Sequence, residues 1–219
     1  MNCHLGAVRF LYDVILDRPL SFKKVPNMKK PKSLPLVMSR EEVLAILEVA
    51  TNTKHKTMLM LAYSAGLRAS EIVSLKVQDI DSTSMRIFVR EGKGRKDRYT
   101  ILSAACLDQL RRYWKGFRPD HPDGWLFPGV CSKGHIRRAA VNYAFEKSLA
   151  ATGINKDATP HTLRHCFATH LLEDGTSLLD IKELLGHVRL ASTMVYLHLA
   201  SPTGRVVSPL DTLLSARGA

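Results

Sequence analysis

TPHTLRHCFATHLLEDG, residues 159–175, and LLGHVRLASTMVYLH, residues 184–198, decide how this chain is read. Thr159 followed by Pro160 is an N-cap with proline at the first helical position, and Gly175 is a stop, so the first stretch predicts one helix. His161, Arg164 and His165 then stand at i, i+3 and i+4, inside an arc of about 100° on one face, with Leu163, Cys166 and Phe167 on the opposite side. Ser177 to Leu185 reads as a shorter helix stopped by Gly186. His187 follows directly, and Tyr196 lies on a last helix expected over roughly Leu190–Leu199, so the turn brings both toward one pocket. His-x-x-x-His is also a zinc spacing, but an arginine between the imidazoles repels a cation. A planar guanidinium flanked by imidazoles suits a phosphate instead, gripping two non-bridging oxygens at once. Taken singly, a helical histidine is most often a hydrogen-bonded structural residue and a helical tyrosine most often packing, so the rest of the chain has to weigh in.

The rest of the chain is basic. Its 219 residues include 32 Lys and Arg against 20 Asp and Glu, a net charge of +12, with 45 % hydrophobic and 24 % charged residues. Such a composition is globular and excludes a disordered chain, a collagen and a disulfide-stapled miniprotein. The charge points to a polyanion, nucleic acid first. The longest apolar stretches, such as Met58–Ala62, fall far short of the roughly 20 residues that span a bilayer. The N-terminus contains Asp13 and Asp17 and no small-residue cleavage site, so no secretory signal is read and a cytoplasmic, nucleoid-associated protein without a membrane partner is expected. Cys3, Cys106, Cys131 and Cys166 lie far apart with no Cys-x-x-Cys pair, which fits reduced thiols better than disulfides or a zinc ribbon.

Along the chain, Leu5, Val8, Leu11, Tyr12 and Ile15 predict an amphipathic helix over Leu5–Leu16. Residues 18–38 then read as a basic linker, with Pro19, Pro26, Pro31 and Pro35 among Lys23, Lys24, Lys29, Lys30 and Lys32. Ser39 and Glu42 spell a capping box before the stripe Val43, Leu44, Leu47 and Ala50. A second helix is expected to about Ala65, stopped by Gly66, and Ser70 is expected to cap a short helix through Ile72 and Leu75, pinning Arg68 at a turn. Met85, Ile87 and Val89 alternate with Arg86, Phe88 and Arg90, Glu91-Gly92-Lys93-Gly94 breaks the run, and Arg98–Leu102 resumes it: an antiparallel hairpin. That hairpin is strongly basic, with Arg86, Arg90, Lys93, Arg95, Lys96 and Arg98 against Glu91 and Asp97. Ser103 caps a helix to about Phe117, Pro119–Gly129 is loop around Trp125-Leu126-Phe127, and Ile136–Thr152 is another helix. The expected fold is mainly α, a helical α+β domain with a small antiparallel hairpin or sheet.

Arg68 in YSAGLRASEIVSLKVQDID, Lys93 in EGKGRKDR, and the two stretches quoted first together resemble the catalytic signature of the tyrosine recombinase, or phage integrase, family. The resemblance covers about Ser39–Leu199, in the family's order and approximate spacing, and is similar in style to Xer-type and integron or transposon integrases. It implies a site-specific DNA recombinase that cleaves a strand through a covalent 3′-phosphotyrosyl link and rejoins it to another 5′-hydroxyl. On that resemblance Tyr196 matches the nucleophile, Arg68 and Arg164 the clamps on the phosphoryl oxygens, and His161 the base. Lys93 matches the acid for the departing 5′-oxygen and His187 the hydrogen-bond partner of the phosphate. His165 and Glu71 also match family positions, as supports: His165 orienting its neighbours, Glu71 pairing a catalytic cation or sitting favourably near a helix start. Such transesterification keeps the phosphodiester's energy in the phosphotyrosyl bond, so neither ATP, a metal nor another cofactor is implied.

Family members carry an N-terminal helical domain that closes around the duplex with the catalytic domain. Residues 1–17 look like the last helix of such a domain, residues 39–200 like the catalytic domain, and 201–219 like the tail that docks on a neighbouring subunit. A truncated integrase is therefore expected, binding double-stranded DNA as a dimer or tetramer, with a full-length recombinase as a conceivable partner. Lys23, Lys24, Lys29, Lys30, Arg95, Lys96 and Arg98 are candidate DNA contacts. The competing reading is a catalytically silent DNA-binding remnant that occupies recombination sites without cutting.

Overall fold

The computed structural model describes residues 10–17, 35–90, 97–129 and 134–199. The chain forms two compact units, Met1–Ser33 and Leu34–Ala219. In the first, the described residues make one π-helical turn, Leu11–Ile15, with Phe10, Leu11, Val14, Ile15 and Leu16 exposed. The amphipathic helix expected over Leu5–Leu16 is thus described only from Phe10 onward, and Lys23, Lys24, Lys29 and Lys30 lie outside the described residues.

In the second unit, the last residues counted with the linker are already packed. Met38 is fully buried, its N–H donating to the Cys166 sulfur and its carbonyl meeting His170 Nε2 at 3.1 Å. Ser39 then opens α1 (Arg40–Val49) with the expected reciprocal box: its hydroxyl accepts from the Glu42 N–H and Glu42 accepts from the Ser39 N–H. Val43 and Ile46 form the buried stripe of α1, whereas Leu44, which spacing had put there, is 55 % exposed.

Asn52 caps α2 (Thr53–Ser64), and Gly66, with φ of +61°, turns the chain out of it. The short helix α3 (Ala69–Val73) is capped at Arg68, two residues before the Ser70 cap expected of it. Arg68 is its N-cap because Glu71, three residues on, accepts the Arg68 backbone N–H at 2.8 Å. Next comes a three-stranded antiparallel sheet in the order β1 (Ile80–Asp81), β2 (Arg86–Val89) and β3 (Arg98–Ile101), with Ile87 opposite Thr100 and Val89 opposite Arg98. The expected hairpin is β2–β3, and β1 is a strand too short to leave a periodic signal. Met85, expected as the first strand residue, instead takes a positive φ of 51° in the turn, its carbonyl accepting the Leu102 N–H. Residues 91–96, with Lys93, Arg95 and Lys96, lie outside the described residues.

Ser103 caps α4 (Ala104–Phe117), followed by α5 (Arg138–Thr152), α6 (Pro160–Glu173) and α7 (Leu178–Leu185). The helix expected over Leu190–Leu199 resolves into α8 (Ala191–Met194) and a 3-10 turn, Val195–His198. The helix α2 lies at the centre against α4, α5 and α6, and β3 packs on α7. The main core joins Ile46, Met58, Leu59, Leu61, Tyr113, Phe145 and Leu163. A smaller core of Phe167, Ala168, Ile181 and Leu185 receives the ring of Tyr196. The fold is mainly α with a small antiparallel sheet, and among the described residues no helix is long and apolar enough to cross a membrane.

The orientation of α1 is testable by truncation. Ile46→Ala, at a fully buried position, should cost about 2–5 kcal/mol, and Leu44→Ala at most about 0.5 kcal/mol, in equilibrium urea unfolding. The reverse order would mean α1 is rotated on α5.

Candidate active site

Three guanidiniums converge on one carboxylate. Glu71, at the third position of α3, is nearly buried. Its Oε1 accepts from Arg68 at 2.7 Å and from Arg98 Nη1 at 2.9 Å. Its Oε2 accepts from Arg98 Nη2 at 2.8 Å and from the Arg68 backbone N–H, with Arg164 Nη1 at 3.6 Å. Burial alone would raise the Glu71 carboxyl, but hydrogen bonds and charge from Arg98, with Arg68 and Arg164 behind them, outweigh it and hold the pKa down at about 2. Arg164 is 1 % exposed and donates to two main-chain carbonyls, Gly66 O and Leu185 O. Burial, then the repulsion of Arg68, pushes its pKa down to about 9, so it stays charged at neutral pH.

Above this cluster lies a cavity of about 630 Å³ lined by Arg68, His161, His165, His187, Arg189 and Tyr196 among others. The helix α6 supplies His161 and His165, whose rings meet edge to face at 4.6 Å. His187 follows Gly186, whose φ of +63° ends α7, and its Nδ1 lies 2.9 Å from the Thr193 hydroxyl of α8. The Tyr196 hydroxyl meets His165 Nδ1 at 3.0 Å, and the Tyr196 and His187 rings stack at 6.4 Å. Burial and the neighbouring guanidiniums depress all three imidazoles, His165 and His187 to about 4, so they are neutral at pH 7. Burial also raises the Tyr196 phenol, against the opposing pull of Arg164 and Arg68. The site is therefore positive by its guanidiniums alone, beside neutral imidazoles and a protonated phenol. Among the described residues no three His, Cys, Asp or Glu side chains gather as a metal site requires.

The structure brings together Arg68, Glu71, His161, Arg164, His165, His187 and Tyr196, all singled out in the sequence, while Lys93 falls outside the described residues. Arg98, grouped by sequence with the DNA-contacting cations, has a side chain only 8 % exposed and is committed to Glu71 and to the Leu184 carbonyl. The tyrosine hydroxyl is met by His165, not by His161.

Residues 37–202 match the Phage integrase family. The chain belongs to that family, the tyrosine recombinases. It is 44 % identical over 198 residues to a putative integrase/recombinase of Sinorhizobium fredii, covering 90 % of this chain and 78 % of that protein. It is 39 % identical to tyrosine recombinase XerA of Pyrococcus horikoshii, over 80 % of this chain and 60 % of that one. A crystal structure of XerA recombinase superposes with a TM-score of 0.68 at 29 % identity, covering 98 % of this chain and 74 % of the other. The pre-cleavage complex of XerH site-specific recombinase with its difH substrate shares the fold, with a TM-score of 0.73 at 21 % identity over 89 % of this chain and 60 % of that one.

In this tyrosine recombinase the sequence hid two participants. Arg98 looked like one more basic residue of a charged hairpin, and nothing in its spacing showed that it turns inward. Thr193 is fully buried three residues before Tyr196, but its partner His187 lies across a turn, beyond helical periodicity.

The buried carboxylate predicts an acid limb. Glu71 has a folded pKa of about 2 against 4.5 ordinarily. Its contribution is fully present above the unfolded value and lost as pH falls through the folded one. Unfolding free energy should therefore drop by about 3 kcal/mol between roughly pH 5 and pH 2, and Glu71→Gln should flatten this limb in urea titrations across that window.

Proposed function

We propose that this chain cleaves and rejoins DNA strands, with Tyr196 as the nucleophile of a covalent 3′-phosphotyrosyl intermediate. One observation carries the reading: a tyrosine hydroxyl, three neutral imidazoles and a guanidinium cluster surround a single cavity large enough for a phosphodiester. The net charge of +12 and membership of the Phage integrase family support double-stranded DNA as the substrate, and a DNA substrate puts the working protein on the nucleoid in the cytoplasm. Dimers or tetramers on DNA, or another recombinase as partner, would supply the second strand to be joined.

In the step itself the Tyr196 oxygen attacks phosphorus, the tyrosyl O–P bond forms and the P–O5′ bond breaks. Arg68, at the cavity wall, and Arg164, behind it, stabilise the charge that develops on the non-bridging oxygens; Arg164 keeps N–H groups beyond the two given to Gly66 and Leu185. We give the tyrosyl proton to His165, whose Nδ1 the hydroxyl already meets, rather than to His161. Transfer from a raised phenol to a depressed imidazole is uphill, so proton loss accompanies attack instead of preceding it. His161 and His187 are then left to hydrogen-bond the phosphate. The 5′-oxygen takes a proton, for which the family resemblance offers Lys93. Attack by another 5′-hydroxyl reverses each step.

Covalent trapping tests this. Purified protein mixed with nicked fragments covering the DNA around its own gene, then denatured, should yield protein-linked DNA, and Tyr196→Phe should yield none while binding the same fragments equally well. Arg164→Lys should lower adduct formation by about a hundredfold or more, since a point charge cannot replace the fork that holds Gly66 and Leu185. Adducts from Tyr196→Phe would sink the nucleophile assignment. Binding by the wild type with no adduct would favour the silent DNA-binding remnant.

A further inference from the structure

His187 lines the cavity, but only one of its nitrogens is free to meet a ligand there. Nδ1 is taken by the Thr193 hydroxyl at 2.9 Å, which leaves Nε2. A phosphate oxygen can only accept a hydrogen bond, so a neutral imidazole serves it only with the proton on Nε2. Nδ1 must then be a bare acceptor and needs a donor. Thr193 is the group in place: its side chain is fully buried on α8, one turn before Tyr196.

We propose that Thr193 is a positioning residue for DNA cleavage, donating its hydroxyl proton to His187 Nδ1 and so holding the ring as the Nε2–H tautomer that donates to the scissile phosphate. The inference rests on the cleavage reading above and deepens it. The alternative orientation, Nδ1–H donating to the threonine oxygen, would turn a lone pair toward the phosphate and repel it. Charge explains why the tautomer matters. Burial, with the charge of Arg164, Arg68 and Arg98 added to it, keeps His187 neutral in the free protein, so it is not an imidazolium that donates from both nitrogens. A neutral ring has one N–H to give, and a neighbour has to decide which nitrogen bears it. Thr193 also ties the His187 turn to the segment bearing Tyr196. One hydrogen bond thus sets the phosphate donor and the nucleophile in register.

The test has two readouts. In long-range 15N–1H spectra of the free protein labelled at histidine, with His187 assigned by its loss in His187→Ala, the wild type should show Nε2 protonated and Nδ1 bare. In the trapping assay Thr193→Val, close in shape but without the hydroxyl, should form adducts about tenfold to a hundredfold more slowly with DNA affinity unchanged. Thr193→Ser should restore most of the rate. A protonated Nδ1 in the wild type, a Val variant as fast as wild type, or a Ser variant as slow as Val would each overturn the proposal. A wild type that forms no adduct yet shows the Nε2–H tautomer, lost in Thr193→Val, would sink the cleavage reading while leaving the threonine's hold on the ring in place.

Discussion

The buried carboxylate of Glu71 is the interaction on which the rest of the site depends. A site for a phosphodiester needs several cations aimed at one point, and cations at hydrogen-bonding distances from a common centre repel one another strongly where water is excluded. Here Arg68, Arg98 and Arg164 come from the start of α3, from β3 and from α6, elements far apart in the chain, and each lies within 4 Å of a Glu71 oxygen. One carboxylate against three guanidiniums offsets enough charge to let the cluster assemble and leaves it net positive. The same side chain also sets the N-cap of α3 by accepting the Arg68 N–H, so the start of a short helix and the charge balance of the site are fixed by one residue.

The state of the imidazoles follows from that excess. A positive field and burial act in the same direction on histidine, so His161, His165 and His187 are all depressed. They contribute placed protons and lone pairs, not charge. For Tyr196 the two influences oppose, and burial prevails. In the proposed cleavage this would divide the labour: guanidiniums for electrostatic stabilisation, which needs no proton to move, and neutral rings for direction, which needs each tautomer to be specified from behind.

Local chemistry is what the sequence made legible. The Ser39–Glu42 box, the Ser103 cap, Thr159-Pro160 and Gly186 appear where they were read, because each acts within one helical turn. The i, i+3, i+4 face of α6 likewise puts His161 and His165 on the cavity. What failed to show was decided across the chain. Leu44 and Ile46 are both compatible with the stripe of α1, and only the position of α5 chooses Ile46. Ser70 is the better capping residue by type, yet Glu71 moves the cap to Arg68. Arg98 has the composition of a solvated hairpin, and the carboxylate that draws it inward lies 27 residues earlier in the chain.

Two helix ends complete the balance that Glu71 begins. The last carbonyls of a helix lack partners within it and bear the negative end of its dipole. Leu184 O accepts from Arg98, Leu185 O and Gly66 O accept from Arg164, and so the C-terminus of α7 and the turn after α2 act as further counter-charge. Both ends turn on a glycine with positive φ, and both are crowded. A Cβ on Gly66 would meet the Phe167 ring at 2.5 Å, and one on Gly186 would meet the Arg98 side chain at 2.8 Å. The glycines therefore do two things together: they stop the helices with carbonyls aimed at guanidiniums, and they leave room for the side chains packed against them. Because Gly186 also delivers His187 to the cavity, the termination of α7, the seating of Arg98 and Arg164 and the placement of a neutral donor are one structural event, and none can shift without the others.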